Sequence, residues 1–117
     1  MNNQNNGVTN VRVSSGKVTT LLDTRDTQKQ PEGHYKDSPF SFFQASVFGE
    51  GEVRANIVIR GSNDGKIWGK TPLVSFNLSG DAIDSDVASY TGPAKYVRAD
   101  VYDLNDIATN VIVTMCV

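Results

Sequence analysis

The chain has 117 residues, of which 38 % are hydrophobic and 21 % charged, and its formal net charge is −2. These values suit one globular domain that can bury a core without disulfide staples, and they exclude a disordered or fibrous chain. No stretch concentrates Lys and Arg, which argues against nucleic acid or an anionic membrane surface as partner.

Residues 1–7, Met1 to Gly7, are polar and lack both the positive and the apolar region of a secretory signal. They read as a flexible arm. No apolar run approaches the ~20 residues a membrane helix needs. The expectation is a soluble protein that stays where it is made, so the Asn77-Leu78-Ser79 sequon carries no glycosylation meaning.

Residues 8–117 are expected to form a single domain. Val8–Val13 and Lys17–Asp23 read as two short strands around the turn Ser14-Ser15-Gly16. Thr24–Pro39 is hydrophilic and rich in charge, a long exposed loop or an excursion at the edge of the fold. Loops of this length often carry function.

Phe40–Phe48 alternates, with Phe43, Ala45 and Val47 on one face and Phe42, Gln44 and Ser46 on the other. Gly49-Glu50-Gly51 reads as a turn. Glu52–Arg60 alternates cleanly, with Val53, Ala55, Ile57 and Ile59 opposite Arg54, Asn56, Val58 and Arg60, the mark of a half-buried strand. Ser62-Asn63-Asp64-Gly65 is a tight turn, since Asp-Gly supplies the positive φ that a hairpin wants.

Leu73–Leu78 reads as the next strand and Ser79–Ser85 as a polar, acidic loop. Gly92-Pro93-Ala94 is a turn, Lys95–Tyr102 a strand, Leu104–Ala108 the last turn and Thr109–Val117 the last strand. No window shows helical periodicity, and no internal repeat is visible. About eight short strands imply an all-β fold, an antiparallel β-sandwich, with jelly-roll and immunoglobulin-like topologies both open.

Enzymatic constellations are nearly absent. His34 is the only histidine and reads as a solvated loop residue; Cys116 is the only cysteine and reads as a small buried hydrophobe in the apolar run Val111–Val117. Asp81, Asp84 and Asp86 form the densest acidic cluster but lack the spacing of a calcium loop. Asp100, Asp103 and Asp106 are dispersed. Trp68, Tyr90, Tyr96 and Tyr102 would make a sugar-stacking platform if coplanar, and packing around the core if not. The expectation is no catalytic residue, no cofactor and no metal. An enzyme would need acid–base work by carboxylates such as Asp84 with Asp86, set across a cleft that a domain this small rarely holds.

The segment Ile57-Val58-Ile59-Arg60-Gly61-Ser62-Asn63-Asp64-Gly65-Lys66-Ile67-Trp68, followed by Leu78-Ser79-Gly80 and Lys95-Tyr96-Val97-Arg98-Ala99-Asp100-Val101, resembles small β-sandwich virion proteins of tailed bacteriophages, capsid decoration (cement) proteins among them. The resemblance covers roughly residues 40–117. The Ser-Asn-Asp-Gly…Trp piece alone also resembles discoidin-type carbohydrate- or lipid-binding domains, which are usually longer and often disulfide-bonded. The phage resemblance implies a virion structural protein bound to the major capsid protein and assembled as a homotrimer. The N-terminal segment and the Thr24–Pro39 loop would make the contacts. The alternative is a carbohydrate-binding module of a phage tail or adhesion apparatus. In either family the Asn63-Asp64-Gly65 turn and Trp68 are features of the fold.

Overall fold

The computed structural model describes residues 17–25 and 33–117. The expected N-terminal arm, the strand Val8–Val13 and residues 26–32 of the long loop lie outside the described residues. Six strands are present: β1 (Val18–Asp23), β2 (His34–Tyr35), β3 (Phe40–Ser62), β4 (Val74–Thr91), β5 (Tyr96–Tyr102) and β6 (Ala108–Cys116). They hold 69 % of the described residues, and no helix occurs among them. All pairings are antiparallel and belong to one sheet that curls toward a barrel.

The 23-residue strand β3 organises everything else. Fully extended it would run about 75 Å, yet the longest dimension of the molecule is 49 Å. It must bend, and it does so between Phe48 and Glu52, where its pairing with β4 shifts register. β4 follows one edge of β3 from Phe40↔Thr91 to Ile59↔Val74. On the other edge β5 and β6 run end to end. β5 pairs with Asn56–Ser62 and β6 with Phe42–Gly49. Three long ribbons therefore lie side by side and crease at one level. Each carries a positive-φ residue there: Gly51 in β3, Ala82 in β4 and Asp103 between β5 and β6.

Two contacts seal the crease. Gly49 sits so close to the 103–107 connection that a Cβ would lie 2.5 Å from the Ile107 carbonyl oxygen. Asn105 fills the gap between β5 and β6 like a one-residue strand. Its Nδ2 donates to Glu52 O at 2.6 Å, its Oδ1 accepts from the Arg54 amide at 3.0 Å, and its own amide donates to Arg54 O at 3.1 Å.

The crease divides the sheet into two halves. The first is β1, β6, the early part of β3 and the late part of β4. The second is β2, β5, the late part of β3 and the early part of β4. Their inner faces supply one core. Phe43, Ala45, Val47, Val111 and Val113 come from the first half, and Ile57, Ile59, Phe76, Leu78, Val97 and Ala99 from the second. A register shift in β1 between Thr20 and Leu22 lets the consecutive Leu21 and Leu22 both enter the core.

Three sequence expectations change. Gly49-Glu50-Gly51 is a bend inside β3 rather than a turn that ends it, because pairing with β4 resumes on its far side at Glu52↔Asp81. Ser79–Ser85 is part of β4 for the same reason, despite its acidic composition. Phe40–Phe48 and Glu52–Arg60 are thus one strand, and six strands stand among the described residues where about eight were expected. In the long loop, His34 and Tyr35 pair with Val97 and Tyr96.

Candidate functional site

The turn after β3 is built by two side chains. Asp64 Oδ1 accepts from the Ile67 amide at 3.0 Å, the Lys66 amide at 2.9 Å and Ser62 Oγ at 2.9 Å. These bonds, the two amides foremost, lower its pKa to about 2. Ser62 Oγ in turn accepts from the Gly65 amide at 3.0 Å. Gly65 adopts φ 75° and lies flat against the Tyr96 ring, where a Cβ would be 3.2 Å from Cδ1. Asp-Gly here closes a packed turn, as the sequence suggests.

The aromatic residues do not form a platform. Trp68 is half-buried; the Arg98 guanidinium lies 5.0 Å from its ring centre, and Gly33 packs so near that a Cβ would stand 2.8 Å from Cζ2. Tyr96 meets Tyr35 edge to face at 5.5 Å. Tyr102 receives a hydrogen bond from Arg60 Nη2 at 3.1 Å, and Tyr90 lies beneath Lys36 Nζ. A cleft of about 420 Å³ opens beside Trp68, Leu73, Tyr90, Pro93 and Ala94, and no carboxylate, imidazole or amine lines it.

Four of the six acidic candidates are engaged. Asp84 Oδ2 accepts from the Ser79 amide at 2.9 Å and Asp86 Oδ1 from the Val87 amide at 2.8 Å. Carboxylates thus occupy main-chain donors of the strand whose outer edge meets no other strand among the described residues. Asp100 pairs with Arg98 at 3.2 Å and Arg60 at 3.6 Å, while Asp103 accepts from Asn56 Nδ2 at 2.8 Å. Asp81 is exposed at the crease opposite Glu52, and Asp106 is exposed in the connection before β6. No group of three metal-ligating side chains gathers among the described residues. His34 is half-buried on β2 rather than in an open loop.

Lys36 carries no signal in the sequence, yet it is buried. Its Nζ donates to Ser38 O at 2.7 Å and Gly92 O at 3.5 Å and sits 5.9 Å above the Tyr90 ring. Burial pushes its pKa below the ordinary lysine value. The ammonium ties the segment before β3 to the turn after β4.

The outer faces of the two halves differ sharply. On the second half Arg54, Asn56 and Arg60 of β3 lie beside Tyr96, Arg98, Asp100 and Tyr102 of β5. On the first half, β3 presents Phe40, Phe42, Gln44, Ser46 and Phe48, and β4 presents Ile83, Ser85, Val87, Ser89 and Thr91. β6 adds Ile112, Thr114 and Cys116, and β1 adds Val18 and Thr20. Among the described residues, the one charged side chain on this face is Asp23 of β1, opposite Ile112. Exposure is 45 % at Phe40, 40 % at Phe42, 53 % at Ile83, 48 % at Val87 and 62 % at Val18. The polar members satisfy one another, with Ser46 Oγ 2.9 Å from Ser85 Oγ and Gln44 Nε2 donating to the same oxygen at 3.4 Å. Asp23, at the margin, is held by Arg25 at 2.6 Å, which lowers its pKa. Cys116 sits on this face, half-buried and opposite Phe42, rather than in the core. Exposed large apolar side chains gathered on one face with little charge are the mark of an interaction surface.

No protein family, no curated protein and no solved structure matches this chain.

Proposed function

We propose that the chain is a virion structural protein of a tailed bacteriophage, a capsid decoration (cement) protein that acts by docking rather than by catalysis. The observation that carries this reading is the set of exposed large apolar side chains on the outer face of the first half-sheet, where the one charge, Asp23, is paired with Arg25. Leaving five large apolar side chains in water forgoes the burial energy each would otherwise contribute, about 25 cal/mol per Å² of apolar surface. A surface of that kind fits a protein whose working state is an assembly. The resemblance of residues 40–117 to small virion β-sandwich proteins supplies the setting, with the creased sheet serving as the two layers of the sandwich. Self-association and attachment to the major capsid protein belong to the same reading. A carbohydrate-binding module would place its rings coplanar and open to a sugar; here each ring has its own separate partner, which gives that alternative less support.

The test is co-sedimentation of the full chain with expanded capsids of the phage whose genome encodes it. Saturable binding, and heads that resist heat better with the protein than without it, are expected. No binding at micromolar protein would end the proposal.

A further inference from the structure

We infer that the outer face of the first half-sheet, with its exposed Phe40, Phe42, Ile83 and Val87, is a self-recognition surface, covered in solution by the same face of a second copy of this chain. The inference rests on the reading of this face as a docking surface and names its occupant.

Charge is the first argument. The one charged side chain of the face, Asp23, is paired with Arg25 at 2.6 Å, so the face gains little from a charged partner and meets little repulsion from a copy of itself. Area is the second. Eight residue steps of ~3.3 Å along β3 and four strands spaced ~4.8 Å give roughly 500 Å² in projection, and more as accessible surface. That is the order of the ~800 Å² per partner found in standard specific interfaces.

The outer edge of β4 offers a competing route, and its sequence opposes it. Among the described residues β4 pairs with β3 alone, but Asp81, Asp84 and Asp86 lie along its outer edge. Two such edges brought together would oppose carboxylates, and Asp84 and Asp86 already occupy main-chain donors there. Along β4, face-to-face pairing is therefore favoured over edge pairing. A patch that meets its own copy is isologous and closes on a two-fold axis, so the unit contains two chains rather than the three implied by the phage resemblance.

Phe42→Glu and Val87→Lys each place a charge inside the paired face, and Ser75→Lys places one on the opposite face as a control. Sedimentation velocity on the full chain across the micromolar range reads the result. The wild type and Ser75→Lys are expected to sediment as dimers, and each face variant to weaken the dimer by roughly 100-fold with an unchanged far-ultraviolet circular dichroism spectrum. Cys116 reports independently: its reaction with a maleimide is slow in the dimer and fast in the Val87→Lys monomer. A wild-type monomer, or a dimer indifferent to both variants, overturns the inference. So does a wild-type monomer in which Cys116 is unreactive, since the face is then covered by the chain itself. The capsid assay separates this failure from that of the broader reading. A monomer that binds capsids and loses binding in Val87→Lys keeps the docking surface and refutes only the second copy.

Discussion

The two half-sheets share β3 and β4 and contribute similar inner faces, yet their outer faces follow opposite rules. Beyond the crease toward Ser62, outward positions carry Arg60, Arg98 and Asp100, with Asp100 lying between two guanidinium groups. On the other side, toward Phe40, outward positions carry Phe42, Val87 and Cys116, and their one charge, Asp23, is paired with Arg25 at the margin. The inner faces are constrained by one shared core, whereas each outer face answers only to what it meets. Water suffices for the charged face. The apolar face is costly in water and economical only against another apolar surface.

The largest effect separates neighbours on β3. Phe43 is fully buried and Phe42 is 40 % exposed. Phe43→Ala is expected to lower stability by about 3–5 kcal/mol, and Phe42→Ala by less than about 1 kcal/mol in dilute solution. Urea unfolding of both variants measures the gap. Equal losses would mean that the outer face belongs to the core.

Next comes the crease that keeps the faces distinct. Gly49→Ala forces a Cβ against the Ile107 carbonyl, and main-chain atoms cannot yield as a side-chain tip can. A loss of about 2–4 kcal/mol is expected by the same measurement.

Much of this arrangement is legible in the sequence. Glu52–Arg60 and Lys95–Tyr102 alternate in the phase the structure shows, because each buries one side only. The Ser62–Trp68 turn is readable because Asp and Gly act locally. Gly49-Glu50-Gly51 and Ser79–Ser85 are not, because β3 and β4 go on pairing to either side of the bend, and neither segment says so alone. Asn105 and Lys36 were equally silent. Their roles come from carbonyls and amides of residues far away in the chain, Glu52 and Arg54 for one and Gly92 for the other. The apolar face was half visible, since Phe42 was already placed opposite Phe43. Its extent needed the register of four strands.

A smaller effect sharpens the contrast through salt. Asp100→Asn removes the ion pairs with Arg60 and Arg98, which are partly open to solvent. A loss of about 1 kcal/mol is expected at low ionic strength, shrinking in concentrated sodium chloride. Val87→Ala on the apolar face is expected to show no such salt dependence. Urea unfolding at two salt concentrations checks both.

The smallest effect concerns pH. Asp64 is held near pKa 2, below its ordinary 3.8, by the Ile67 and Lys66 amides and by Ser62. A depressed carboxylate adds stability that is fully present above the unfolded value and is lost as pH falls through the folded one. The wild type is therefore expected to lose stability relative to Asp64→Asn between about pH 4 and pH 2 and to hold a constant difference above that range. Thermal unfolding across the acid range reads the slope, and parallel curves for the two proteins would remove Asp64 from the account.

The crease also sets how the molecule comes apart. β3 and β4 cross it unbroken, and β5 and β6 cross it in line. Melting either half strips rungs from strands that the other half needs, so the chain has no sub-unit able to persist alone and is expected to unfold in a single two-state step. Amides of Ala45 and Ile57, on opposite sides of the bend, should then exchange with solvent through the same global opening and at the same free energy. A native-state hydrogen-exchange experiment that found one of them opening well before the other would show the crease to be a seam between two independently melting units.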